Sequence, residues 1–263
     1  MPPSARTRLE ADRAARRAAE RRKRTLVIST AVIVVLAVAA TIGIVVGRHK
    51  SAADEADWAS VAQNDLRLPS AQMGTGIRYG RNAVAPILVV YEDFRCPVCR
   101  EVETTLGPTI QRLADEGTIR VEFRIASFLD GKLGGNGSKY AANAAGCAQD
   151  AGAFKAYHDV LYAHQPDERS DGFGNRTRLL ELASQVDGLR SAAFDRCVRD
   201  LAFAPWVQAS QAEFANAQIG GRRVTGTPTL ALAGRPVEVL TDRGPIAPET
   251  FAAQLKALAA PTP

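Results

Sequence analysis

ILVVYEDFRCPVC, residues 87–99, changes hydrophobic period within thirteen positions. Ile87 to Tyr91 is an unbroken apolar run rich in β-branched residues, the pattern of a short strand buried on both faces. Glu92 to Arg95 reads as a turn. Beyond it Val98, Val102, Leu106, Ile110 and Leu113 recur at steps of four, four, four and three, the period of an amphipathic helix ending near Gly117. Pro108 is expected to kink that helix, because a proline removes one backbone donor and crowds the preceding turn.

Cys96, Pro97, Val98 and Cys99 thus form a C-x-x-C where a buried strand hands over to a helix. Cys96 falls at the helix N-terminus, where unpaired N–H groups and the positive end of the macrodipole favour an anion. Pro97 suits the first helical position, having no N–H to leave unsatisfied. A depressed thiol pKa at Cys96 is therefore expected, and the thiolate is the species that attacks disulfides. Cys99, one turn inward, is the resolving thiol. The competing readings are a buried staple or half of a zinc site. A zinc ribbon wants a second C-x-x-C, whereas Cys147 and Cys197 are single, far apart and without paired histidines.

Ile119 to Ile125 alternates apolar and charged residues and makes a second strand, and strand-helix-strand order implies a parallel pair. From about Ser138 to Gln218 no strand pattern occurs. Ala-rich periodic stretches at Tyr140–Gln149, Phe154–His164, Arg178–Gln185, Ala192–Leu201 and Val207–Ala217 suggest four or five helices. Strands resume at Thr229–Ala233 and Val237–Leu240, a hairpin turning at Gly234, Arg235 and Pro236, and a helix over Pro248–Ala259 closes the chain. Gly131 to Gly137 lacks the spacing of a phosphate-binding loop and reads as a flexible connection.

The chain has 263 residues and a formal charge of +5, but nine of its 33 basic residues lie before Thr25 with only three of its 28 acidic ones. The remaining 24 basic and 25 acidic side chains nearly cancel, so no nucleic-acid-binding field is expected. Thr25 to Gly47 carries no charge, and as a helix it would rise about 34 Å, enough to cross a bilayer. Arg16, Arg17, Arg21, Arg22, Lys23 and Arg24 precede it, while Asp54, Glu55 and Asp57 follow soon after. The positive-inside rule then puts the N-terminus in the cytoplasm and the rest outside the cell membrane, on a single uncleaved anchor. A cleaved signal peptide is the competing reading, against which stand the length of the apolar stretch and the lack of an A-x-A site. The expected order is a basic cytoplasmic tail (1–24), a transmembrane helix (25–47), a linker (48–72) with Trp58 at the membrane interface, and a folded domain (73–260) whose helical insertion spans about 131–218. All four cysteines follow the anchor, in a compartment where disulfides persist.

Ile87 to Cys99, the helical block and Val224 to Thr229 (VTGTPT) together resemble the DsbA family of thioredoxin-fold proteins. The resemblance covers about 73–260 and implies an α/β thioredoxin fold with an inserted helical domain. Thr227 and Pro228, with Pro228 lying 132 residues after Cys96, match the loop whose proline is cis and faces the C-x-x-C in that family. It implies that the backbone beside Thr227 pairs with an extended substrate segment. The implied activity is oxidation of dithiols in secreted or surface proteins through a Cys96/Cys99 disulfide, without cofactor or metal. The implied partner is a membrane reoxidase, DsbB-like or vitamin K epoxide reductase-like. A reductase or isomerase on the same scaffold and a non-catalytic binding domain are the rivals. The sequence departs from the family at Val90, where many members place a buried acid six residues before the first cysteine. Glu92 is off that register.

Cys147 and Cys197 fall in two different expected helices and read as a structural disulfide, an extra bridge that some similar DsbA relatives carry, with a second electron-shuttling pair as the alternative. His158 and His164 share one expected helix and read as packing or solvated residues. Phe94, Phe203 and Trp206 fit either a substrate groove or the core.

Overall fold

Period-two alternation along a strand sends neighbouring side chains to opposite faces, and both faces of the first apolar run find a core. In the computed structural model, which describes residues 57–63, 65–70 and 74–260, Leu88 and Val90 enter the main core. Val89 and Tyr91 pack with a smaller cluster of Ala126, Phe214, Ala217 and Val224. The basic tail, the membrane helix and the first part of the linker lie outside the described residues. Among the described residues no helix is long and apolar enough to cross a membrane.

The described chain opens with helical residues 57–61 (α1), followed by β1 (Ile77–Tyr79), β2 (Ile87–Glu92), α2 (Pro97–Asp115) and β3 (Arg120–Ile125). Next comes the helical block: α3 (Phe128–Leu133), α4 (Gly137–Asp150), α5 (Phe154–Ala163), a 3-10 turn at Gly172–Gly174, α6 (Arg176–Ala183), α7 (Ala192–Arg199) and α8 (Ala204–Asn216). The chain closes with β4 (Gln218–Ile219), β5 (Arg222–Arg223), β6 (Thr229–Leu232), β7 (Arg235–Val237), β8 (Leu240–Thr241), β9 (Gly244–Pro245) and α9 (Pro248–Ala259). The main sheet has the order β1-β3-β2-β6-β7, with β2 parallel to β3 and antiparallel to β6. The expected parallel pair is therefore the centre of the sheet. α2 lays Val102, Leu106, Ile110 and Leu113 into the core and packs beside α9, which buries Phe251 and Leu255. α2 continues through Pro108 to Asp115.

Several expectations change. Trp58, expected at a membrane interface, is 7% exposed with its ring 6.1 Å from that of Tyr140, so this part of the expected linker packs on the domain. The flexible loop expected over Gly131–Gly137 is mostly helical, since Gly131 lies in α3 and Gly137 opens α4. Asp171 pins the short connection by accepting from Asn136 N at 3.2 Å and Gly137 N at 2.8 Å. The β6–β7 hairpin turns at Ala233 and Gly234, both with positive φ (50° and 76°), and Arg235 and Pro236 belong to β7. Proline is tolerated there because β7 is the sheet edge.

Cys147 on α4 and Cys197 on α7 are joined, with an S–S distance of 2.08 Å and a separation of 50 residues. Loop-closure entropy gives such a bridge about 4 kcal/mol. A Cys147→Ser, Cys197→Ser double variant is expected to lose about that much in urea unfolding followed with the other two thiols blocked. An unchanged midpoint would remove the bridge from the stability of the domain.

Candidate active site: a dithiol facing a cis-proline loop

β2 ends at Glu92, the chain turns over Asp93–Arg95, and α2 starts with Cys96 as N-cap and Pro97 at its first position. The turn is built by the helical block as much as by its own residues. Asp93 is buried and accepts from Arg95 N (2.9 Å), Ser138 Oγ (2.6 Å) and Leu129 N (3.2 Å). Burial pushes its pKa up to about 7 against those bonds. Arg95, only 1% exposed, donates to Asp130 Oδ1 (2.7 Å), Gly134 O (2.8 Å) and Glu168 O (2.6 Å). The residue before the first cysteine thus ties α3 with its C-cap and the loop at Glu168 to the turn.

Both cysteines of the C-x-x-C are free thiols, Cys96 6% and Cys99 1% exposed. Cys96 keeps only a small exposed area, because the loop before β6 lies over the sulfur. Cys96 Sγ sits 3.3 Å from Thr227 O, and the Thr227–Pro228 bond is cis. Residues on either side of the whole inserted block thus meet, since β6 pairs with β2 and carries its preceding loop to the start of α2.

The Cys96 pKa is lowered to about 6, with the hydrogen bond from the Cys99 thiol as the largest cause. Thr227 and the backbone N–H groups of Cys99 and Val98 add to it, and burial opposes it. Burial pushes the Cys99 thiol well above its ordinary value, and the neighbouring Cys96 reinforces the rise. The helix N-terminus that the sequence suggested is thus one contributor, and the partner thiol outweighs it. In a Cys99→Ala variant the Cys96 pKa should therefore climb from about 6 towards the ordinary thiol value, read by thiolate absorbance. A variant still titrating at the wild-type value would contradict this ordering of causes. The buried Thr227 side chain favours the ionised forms of both sulfurs.

Beneath the dithiol lies a buried charged cluster that the sequence did not reveal. His158 on α5 is fully buried, with Nε2 2.9 Å from Glu92 Oε1 and Nδ1 3.2 Å from Asp159 Oδ1. Glu103, on the same face of α2 as Cys99 at i+4, completes it. Burial favours the neutral imidazole, but Glu92, Asp159 and Glu103 outweigh it and raise the His158 pKa. Burial raises Glu103 to about 7, while the charge of His158 works the other way. Glu92, Glu103 and His158 are the only described group with ligand atoms within 4.8 Å of one another, close enough for a cation. Both ring nitrogens of His158 lie within hydrogen-bonding distance of carboxylates, an arrangement that suits an imidazolium. The available signal was Glu92 ending a buried strand and Glu103 one turn after Cys99; only α5 supplies the cation that makes them compatible.

Phe94, Phe203 and Trp206 are fully buried and belong to the core, and Trp206 Nε1 donates to Thr75 O at 2.9 Å. His164 holds Gln185 Oε1 at 2.8 Å, away from the sulfurs.

A five-stranded mixed sheet, a dithiol at the start of the helix after its central strand, and a cis-proline loop over the first sulfur define a thioredoxin-type redox fold. The chain belongs to the thioredoxin family, whose sequence profile matches residues 72–257. No sequence among the curated proteins matches it. Among solved structures, reduced DsbA from Mycobacterium tuberculosis is 25% identical, with TM-score 0.58, covering 72% of this chain and 95% of that one. The reduced disulfide bond oxidoreductase DsbG of the same organism is 24% identical, with TM-score 0.58, covering 79% and 94%. Oxidised BdbD from Bacillus subtilis is 21% identical, with TM-score 0.54, covering 73% and 100%.

Proposed function

We propose that the protein is a thiol-disulfide oxidoreductase that oxidises dithiols of extracytoplasmic proteins through a Cys96/Cys99 disulfide. The observation that carries this reading is the Cys96 thiol, lowered to about 6 and 3.3 Å from Thr227 O, beside a Cys99 thiol held protonated. A stabilised thiolate stabilises the reduced form and so makes the disulfide the stronger oxidant. A substrate thiolate attacks the oxidised pair at Cys96, the Cys96–Cys99 bond breaks, and Cys99 leaves as a thiolate that takes up a proton. The second substrate thiol then attacks the mixed disulfide, releasing an oxidised substrate and Cys96 as thiolate. Two electrons pass to the enzyme.

Thr227 and Pro228 are proposed as the substrate-binding edge. The N–H groups of Thr225, Gly226 and Thr227 donate to no backbone carbonyl among the described residues, which supports pairing with an extended peptide, while Gly226 O accepts from Thr229 Oγ1 and Thr227 O faces Cys96 Sγ. The uncharged stretch 25–47 and the basic residues before it support a single-pass membrane anchor with the catalytic domain outside. On that reading a membrane protein of the DsbB or vitamin K epoxide reductase kind reoxidises the dithiol. The test is refolding of a reduced, disulfide-containing substrate by the full-length protein in detergent, with its equilibrium against glutathione measured alongside. Catalysed disulfide formation with a potential well above that of thioredoxin, about −270 mV, is expected, and a value near it would assign reduction instead.

A further inference from the structure

Gln165 follows His164, the C-cap of α5, and is 8% exposed. Its side-chain Nε2 donates to Phe94 O and to Cys96 O, both at 2.9 Å, so both amide hydrogens go to the carbonyls on either side of Arg95. This matters because α2 begins on a cysteine. A serine, threonine or aspartate at an N-cap orders the first turn with its own oxygen, and Cys96 makes no such bond. The Cys96 carbonyl accepts the first helical bond, from Arg100 N, at a long 3.2 Å. The turn is therefore held from outside as well as by Asp93, whose carboxylate accepts from Arg95 N and whose carbonyl accepts from Cys96 N. The amides of Val98 and Cys99, which act on Cys96 Sγ, belong to the same turn.

We propose that Gln165 is a positioning residue for Cys96, through which the helical insertion holds the first turn of α2 with its amides aimed at the attacking sulfur. This rests on the reading of Cys96 as the attacking thiol. It also gives the insertion a part in the chemistry besides covering the sheet: the sulfur lies on the thioredoxin-type core, and the group that orients it lies on the inserted block.

The test uses Gln165→Met in the full-length protein, which keeps the length of the side chain and removes both donors. The expected result is a rise of about one unit in the Cys96 pKa, comparable to the loss of one hydrogen bond serving a charged group. At pH 8, above the Cys96 pKa of both proteins, the equilibrium with glutathione should move about tenfold towards the disulfide, or ~30 mV. Gln165→Glu, which sets a carboxylate against the same two carbonyls, should move both readouts in the same direction. Either variant, folded by far-UV spectrum and with wild-type thiolate titration and glutathione equilibrium, would overturn the proposal. If neither folds, the side chain serves the whole domain and not this turn, and the proposal also falls. Absence of catalysed exchange in the wild type would instead defeat the functional reading, while the titration still decides the role of Gln165.

Discussion

Replacing Cys96 with serine is expected to bring catalysed disulfide exchange down to the uncatalysed background. A thiol with a pKa of about 6 is mostly thiolate at neutral pH. An ordinary thiol, with a pKa of about 8.5, is only a few per cent ionised there. A serine hydroxyl at the same place neither ionises nor forms a disulfide, so both the nucleophile and the electron acceptor are lost. Cys99→Ser should behave differently. Cys96 can still attack a substrate disulfide, but no second sulfur resolves the product, and a mixed disulfide should build up as a higher-mass band on a non-reducing gel. Measured rates for Cys96→Ser that match wild type would end the redox reading and favour a binding role for the domain.

His158→Leu is expected to destabilise the fold by about 3–5 kcal/mol, the usual cost of removing one partner from a buried ion pair. Leucine roughly fills the volume, so the loss is electrostatic: Glu92 and Glu103 are left in the core without the cation between them. Urea unfolding would measure it. The pH dependence adds a second check, and its sign follows from the shifts. The folded-state pKa of His158 lies above its unfolded value of about 6.5, so its contribution is fully present below that and is lost as pH rises through the raised folded value. Asp93 and Glu103 are also raised, to about 7, so they too favour the fold at low pH and disfavour it as pH climbs through about 7. In the His158→Leu protein the two carboxyls must take up protons to stay buried, so its stability deficit should be smaller at pH 5 than at pH 8. An equal deficit at both pH values would mean that packing, and not charge, explains the loss. Adding Glu92→Gln to His158→Leu should recover part of the stability, because an uncharged amide needs no counter-ion.

The legible parts of this protein were those written into local periodicity. The apolar run at 87–91, the four-residue rhythm after Cys96 and the alternation at 119–125 name a strand, a helix and a strand, and their order implies the parallel pair that the structure contains. Both cysteines of the C-x-x-C could be placed at a helix start, because a strand-to-helix change of period marks that position without any knowledge of packing. Short elements escaped for the complementary reason. β1 has three residues and β4, β5, β8 and β9 two each, too few for any period to repeat. The turn at Ala233–Gly234 was misplaced because Gly-Arg-Pro is the stronger local turn signal, and only pairing of Leu232 with Arg235 at the sheet edge draws Pro236 into a strand.

What the sequence determined by itself is the order of the elements and the chemistry of the sulfur pair, both properties of contiguous residues. Tertiary structure alone decided the environment of that pair. Thr227 reaches Cys96 because β6 pairs with β2, Arg95 and Gln165 lock the turn because the helical block folds back on it, and Glu92 and Glu103 tolerate burial because His158 arrives from α5. The physical reason is that a buried charge or an unpaired carbonyl is stabilised only by a group close in space, and spacing along the chain carries no record of which distant residue will supply it.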